Sequence, residues 1–299
     1  MNTNMKKKLL ILTKNRKRIQ AIASSFDNNG YALVIVEQDK CIREGKLVVE
    51  EKAVHYGDMD ILAGIHAALI LDSGYMWPQP VLKPTETQWK AYQHNLDEYL
   101  RNEREAHSLW FSLIEIVNEA VPLCINPQAA FEASVFKPWA FEVLSDAGVP
   151  LAPYIVSNDP QQIREFIDAH GSFFLSLPLA GDGGVRWMDK KNIESHDLKE
   201  EPLFLQAPSG RDEITLIVIR GNIVYSHPSP GKGAIALADR AAVLQEVLKI
   251  PFAEIIVRYV DGVPVISDFS PSPEIQSLNG GNREKVFAGL LSLIGEGNR

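Results

Sequence analysis

The sequence predicts an α/β protein, and three observations carry the prediction. Short runs of Leu, Ile and Val alternate with helix-period segments and turn signals, the pattern of strands feeding helices around a mostly parallel sheet. The 299 residues exceed what one small core holds, which predicts two or three subdomains. The composition, 45% hydrophobic and 23% charged, is that of an ordinary globular chain able to fill those cores.

The first part of the chain supplies the α/β alternation. Residues 9–13 (LLILT) read as a buried strand and residues 16–28 as a helix stopped by Gly30. Residues 32–37 read as a second strand, 46–54 as a hairpin arm, and 67–71 as another buried strand ending at Asp72-Ser73-Gly74. The loop at 75–80 (YMWPQP) either lines a substrate pocket or packs on the next helix. Residues 85–120 contain neither proline nor glycine. Trp89, Tyr92, Leu96, Tyr99 and Leu100 trace one apolar stripe, and Leu109, Trp110, Leu113, Ile114 and Val117 another. With the charged centre at 101–105, this predicts one long helix or two joined by a polar bend, whose aromatics leave a homodimer contact open.

Farther on, residues 141–147 predict a helix stopped by Gly148, and 154–157 a strand. Asp159 caps a helix that opens with Pro160 and ends before Gly171, and residues 172–177 form the next strand. Residues 216–225 make a hairpin around Arg220-Gly221-Asn222. Residues 238–248 are helical, 252–269 a second hairpin around Asp261-Gly262, and 284–294 a closing helix.

Several function classes are excluded. A net charge of −8 predicts no broad nucleic-acid surface, and the basic cluster Lys6, Lys7, Lys8, Arg16, Lys17 and Arg18 reads as a solvated face. The two cysteines, Cys41 and Cys124, predict no disulfide framework and a reduced, cytoplasmic setting. The apolar run at 9–12 is too short for a signal peptide, and no stretch approaches the roughly 20 apolar residues of a membrane span. No G-x-G-x-x-G follows the first strand, no G-x-S-x-G elbow is present, and the seven histidines show no ligand spacing. His227 reads as a strand-end residue.

Within residues 126–273 a set of signals stands in a particular order. Asn126-Pro127 opens a helical pattern, Lys137 follows, then Gly148-Val149-Pro150 and a strand ending at Pro178. A glycine loop comes next (Ala180, Gly181, Asp182, Gly183, Gly184), then the strand ending at Gln206, and the run Asp268-Phe269-Ser270-Pro271-Ser272-Pro273. This order resembles the ATP-grasp ligases, the superfamily of glutathione synthetase and the glutamate-adding carboxylate–amine ligases. The resemblance implies an N-terminal α/β domain over residues 1–125. A small subdomain with the glycine loop would follow over 126–200, and a C-terminal subdomain over 201–299, with a cleft between the two.

It also implies roles. ATP would lie in that cleft, and Mg2+ on acids of the last hairpin. Lys137 would meet the phosphates, Gly181, Asp182, Gly183 and Gly184 would cover them, and Gln206 would stand beside adenine. Asp268 would be a metal ligand, and Lys232, in a loop after the hairpin, a further cation. The substrate would be a small-molecule or peptide carboxylate, converted to an acyl phosphate.

Other expected charges are replaced. Leu177 stands where the second phosphate lysine is expected, Ile256 for the first metal acid, Ser270 for an asparagine, and Ala207 for a hinge glutamate. Glu254, two residues from Ile256 on the same strand face, is the nearest substitute acid. Ile214 and Thr215 follow Asp212 where an arginine is expected, and Arg186 is a second substitute cation. Two readings stay open. One is an ATP-grasp protein with an eroded site that binds a nucleotide or small anion, or partners an active ligase. The other is an active carboxylate–amine ligase with a rearranged metal site.

Overall fold

A computed structural model describes residues 6–14, 17–44, 47–51, 53–72, 86–171, 173–179, 185–196, 202–208, 210–229 and 232–296. The chain divides into two compact units, Met1–Gln128 with Ile294–Arg299, and Ala129–Leu293. The loop at 75–80 and the glycine loop at 180–184 lie outside the described residues.

The first unit is built on a four-stranded parallel sheet of order β2-β1-β6-β7. Its strands are β1 (Lys7–Thr13), β2 (Tyr31–Glu37), β6 (Ile65–Ile70) and β7 (Cys124–Ile125). Leu9, Leu10, Ile11 and Leu12 are all buried, which explains an unbroken apolar run in place of alternation: a strand covered on both faces has no polar side. Helices α1 (Lys17–Asn28) and α2 (Gln38–Glu44) flank β2 in sequence. The predicted hairpin arm is a three-stranded antiparallel sheet, β3 (Leu47–Val49), β4 (Val54–Tyr56) and β5 (Met59–Asp60).

Helix α3 (Glu86–Ala120) is one continuous helix of 35 residues, which settles the choice between one helix and two. Charge alone does not break a helix that lacks proline and glycine. Trp110, Leu113, Ile114 and Val117 are buried, whereas Leu109 is exposed and stands outside the stripe assigned to it. The side chains of Trp89, Tyr92, Leu96, Tyr99 and Leu100 are not among those described. No helix among the described residues is long and apolar enough to cross a membrane.

Cys41 on α2 is buried and Cys124 on β7 partly so. Burial pushes both thiols up from 9.0 to about 12, with Glu37 adding to the first and Glu115 to the second. From pH 9 upward the unfolded chain releases protons that the fold still holds, so stability falls as pH rises toward about 12. Urea midpoints should therefore be lower at about pH 10.5 than at about pH 8, and a Cys41→Ala, Cys124→Ala double variant should lose less over that interval.

The second unit opens with α4 (Gln128–Val135) and α5 (Lys137–Asp146), and contains two antiparallel sheets. The first sheet has the order β10-β9-β11-β8, from β8 (Tyr154–Ser157), β9 (Phe173–Leu177), β10 (Arg186–Asp189) and β11 (Leu203–Gln206). Helices α6 (Pro160–His170) and α7 (Lys190–Glu194) cover one of its faces, packing Ile163, Ile167 and Ile193 on Phe174, Leu203 and Leu205. Asp159 caps α6 by accepting from the Gln161 N–H at 2.8 Å, and the helix stops at Gly171 with φ 111°.

The second sheet has the order β13-β12-β14-β15, from β12 (Ile214–Ile219), β13 (Asn222–His227), β14 (Phe252–Val260) and β15 (Val263–Ser270). Two helices, α8 (Lys232–Val247) and α9 (Gly280–Glu296), pack against it. Helix α8 starts at Lys232 and not at 238, so Lys232 is a helical residue and not a loop one. The segment is rich in alanine, and its glycine costs too little to stop a helix that tertiary packing supports. At the β12–β13 turn Gly221 has φ 78°, and a Cβ there would come within 2.8 Å of the Ala242 Cβ. Gly221→Ala should cost about 1–3 kcal/mol in urea unfolding, from the left-handed backbone and the clash with α8 together.

Candidate functional site

The site is organised by the β14–β15 hairpin, which turns at Asp261 and Gly262 with φ 50° and 79°. Glu254 stands opposite Ser270, Ile255 opposite Phe269, and Ile256 opposite Asp268, after which the register slips so that Val257 meets Ile266. Residues directly opposite share a face, as do residues two apart. One face of the hairpin therefore presents Glu254, Ile256, Asp268 and Ser270, and the other carries Ile255 and Phe269 into the core.

The slip leaves Ser267 unpaired in the ladder and fully buried. Its hydroxyl donates to Gln206 Oε1 at 2.7 Å, which ties the second sheet to the last residue of β11. Gln206 is itself fully buried, and its Nε2 has no partner among the described residues. A buried donor without a partner costs about 1–3 kcal/mol.

Lys137 is the first residue of α5, with Phe136 as its uncapped N-cap and Pro138 in the first turn. Its Nζ lies 2.7 Å from Asp268 Oδ1, joining residues 131 apart in sequence. The two side chains are only 8% and 16% exposed. Asp268 Oδ1 also accepts from the Phe269 N–H at 2.8 Å. The cation and the acid that the resemblance assigns to phosphate and metal are thus bonded to each other.

Magnesium requires several oxygen ligands in octahedral array. Glu254 shares the face of Asp268 but is displaced along the strands, and its Oε2 accepts from the Glu274 N–H at 3.0 Å. Among the described residues no group of three or more His, Cys, Asp or Glu side chains is placed to hold a metal ion.

On the first sheet, Trp187 and Gln206 both pair with Leu175, and Phe204 pairs with Leu177. Leu175, Leu177, Trp187, Phe204 and Gln206 therefore share one face. Leu177 is 3% exposed and belongs to the core formed with α5, α8 and the second sheet. Ser176 and its partner Arg186 occupy the opposite face, so alternation turns Arg186 away from Leu177. Gly181, Asp182, Gly183 and Gly184 are not among the described residues, and neither is the side chain of Lys232.

The structure also shows groups that sequence reading passed over. Arg258 of β14 is 5% exposed, and its Nη2 donates to the Glu213 carboxylate. Its guanidinium carbon lies 5.2 Å from the Trp187 ring centroid. Arg211 stands 5.4 Å over the same ring and 5.4 Å over Phe173. One signal was available: an arginine inside an otherwise apolar strand must be partnered or costly. Arg211 and Trp187 carried none.

No family model matches the sequence, and no curated protein matches it. Solved structures do resemble the fold. The ATP-grasp ligase PsnB, complexed with minimal precursor, Mg and ADP, superposes with a TM-score of 0.75 at 17% identity, over 95% of this chain and 96% of that one. The macrocyclase MdnC of Microcystis aeruginosa, bound with precursor peptide MdnA, gives 0.70 at 13% identity, over 96% and 99%. A RimK-domain ATP-grasp protein of Sphaerobacter thermophilus gives 0.62 at 16%, over 96% and 98%. The chain has the ATP-grasp fold, mixed α/β throughout.

Proposed function

We propose that this ATP-grasp fold carries an eroded catalytic site. It binds a nucleotide or another small anion without turning it over, or serves as the partner of an active ligase. The observation that supports this most is the Lys137–Asp268 ion pair. Phosphoryl transfer depends on cations placed around the transferring group. Here the first lysine is neutralised by the acid that would hold the metal. Leu177 stands in the core where the second lysine is expected, and Ile256 faces Asp268 where a second acid is expected.

The nucleotide-holding residues we propose are Lys137, Gln206, the loop Gly181, Asp182, Gly183 and Gly184, and Lys232. The unpartnered Gln206 Nε2 supports an acceptor such as a purine ring nitrogen beside the end of β11. ATP would supply an activating phosphoryl group if turned over. Asp268 is the remaining candidate ligand for magnesium, and its engagement by Lys137 supports a site without the metal. PsnB and MdnC were both captured with precursor peptides. That supports a carboxylate-bearing peptide as the macromolecule this chain meets. The cysteine content supports a cytoplasmic protein.

The pure protein should show no appreciable ATP hydrolysis or acyl-phosphate formation, with or without carboxylate peptides. Loss of a single stabilising charge commonly costs on the order of a hundredfold or more in rate. Robust ATP-dependent ligation, abolished by Lys137→Ala or Asp268→Ala, would overturn the proposal. It would establish the second reading, an active ligase, which the shared face of Glu254 and Asp268 favours. A Leu177→Lys, Ile256→Asp variant should melt lower than the wild type when unliganded, because the lysine enters an apolar core, and should gain more melting temperature from Mg·ATP.

A further inference from the structure

We infer that the outer edge of β3 pairs with the same edge of a second copy of the chain, joining two small arms into one continuous antiparallel sheet. This contact is separate from the proposed nucleotide site and does not depend on it. It is also separate from the α3 aromatics, the dimer contact that the sequence leaves open.

The arm has the strand order β3-β4-β5, and no strand lies beyond β3 among the described residues. An antiparallel ladder alternates between residues whose N–H and C=O groups face the neighbouring strand and residues whose groups face away. The phase is set by the Glu50 N–H, which donates to the Ala53 carbonyl at 2.9 Å. Counting back along the register, Val48 bonds to His55, and the N–H and C=O groups of Leu47 and Val49 point away from β4. Such an edge is a template for another strand unless proline, charge or a bulge blunts it. Strand β3 is Leu-Val-Val and carries none of these. Val48 is 47% exposed and Val49 39%, so the edge is both open and apolar.

A second copy fits this edge because the strand is complementary to itself. Turned antiparallel about Val48, Leu47 falls opposite the partner's Val49, and Val49 opposite the partner's Leu47. Outward groups then meet outward groups, and each of these pairs exchanges both of its N–H···O bonds. Val48 meets the partner's Val48 as the non-hydrogen-bonded pair, in which side chains lie closest. Leu47 and Val49 share the face of the buried Val54, so pairing carries that apolar face across the two-fold axis.

Charge selects the same register. In the sequence Lys46 precedes the strand and Glu50 follows it. About Val48, Lys46 of each copy meets the partner's Glu50, once at each end of the pair. A slip of one residue sets outward groups against groups already bonded to β4. A slip of two sets Val48 against Lys46 or Glu50 and gives up the charge pairs. Both copies use the same edge, so assembly closes at two.

The test is analytical ultracentrifugation of the whole protein over a range of concentrations. A contact this narrow belongs to the weak class, so the dimer should build up between roughly 1 and 100 µM. Val49→Pro removes an outward N–H and leaves the β3–β4 ladder intact, and should weaken association by about tenfold or more. Glu50→Lys sets lysine against lysine at both ends, and Lys46→Glu sets glutamate against glutamate. Each should weaken association by roughly tenfold at low salt, and an equimolar mixture of the two variants should regain the wild-type affinity. A wild-type chain that stays monomeric at 100 µM overturns the inference. So does a dimer that Val49→Pro and Glu50→Lys leave unchanged, which would lie on another surface, or a mixture that fails to recover. A monomeric chain whose Leu47 and Val49 amides are protected from hydrogen exchange by an added peptide also overturns it, since the occupant of the edge is then not a second copy.

Discussion

Asp268→Ala should lower the free energy of unfolding by about 3–5 kcal/mol, because it strands the Lys137 ammonium in a buried place. Lys137 is 8% exposed and Asp268 16%, so water cannot replace the lost partner without opening the structure. Lys137→Ala should act similarly, leaving the carboxylate unpaired, although Asp268 keeps the bond from the Phe269 N–H. A Lys137→Met, Asp268→Leu double variant should recover most of the loss. Two buried charges exchanged for apolar groups of similar size are often neutral in stability, since both desolvation penalties vanish. Urea unfolding of the four proteins checks this as a double-mutant cycle. If each single substitution costs under about 1 kcal/mol, the pair is not the fixed bond described here.

Phe141→Ala should cost about 3–5 kcal/mol, the range for emptying a fully buried aromatic site. Its ring packs edge-on to Phe204 at 5.2 Å and to Tyr154 at 5.5 Å, both on the first sheet. It stacks on Phe269 of the second sheet at 6.4 Å. Removing it should therefore loosen both sheets in one transition, with the midpoint in urea falling and the denaturant dependence unchanged. Phe141→Leu should cost less, as it retains part of the volume. Two separate transitions in the alanine variant would contradict a single shared core around α5.

Local elements were legible in sequence where the chemistry is local. Asp159-Pro160 at one end and Gly171 at the other bound α6 because capping and a left-handed stop depend on neighbouring residues alone. The Asp261-Gly262 turn set the β14–β15 hairpin for the same reason. Strand β1 read correctly because a continuous apolar run needs cover on both faces. The start of α8 was misread, since helix ends depend on packing that propensity does not record.

The candidate site divides along the same line. The order of Lys137, Gly148, Pro178, Gln206 and Asp268 along the chain was enough for the fold, which the likeness to ATP-grasp structures bears out. The replacement of lysine by leucine at 177 was equally plain in sequence. What Leu177 does was not: its side chain enters the core because β9 alternates and pairs with β11 in one register. The bond between Lys137 and Asp268 could not be read either. Nothing local distinguishes a lysine facing phosphate from one facing a carboxylate 131 residues away. The burial of Arg258 against Trp187 likewise depends on two sheets meeting. Sequence by itself determined most of the elements, their order and the fold, because those follow from short-range propensity, periodicity and turn chemistry. Only the tertiary structure decided which charges are neutralised and which are left unused, because that depends on strand register and on distances between residues far apart in the chain.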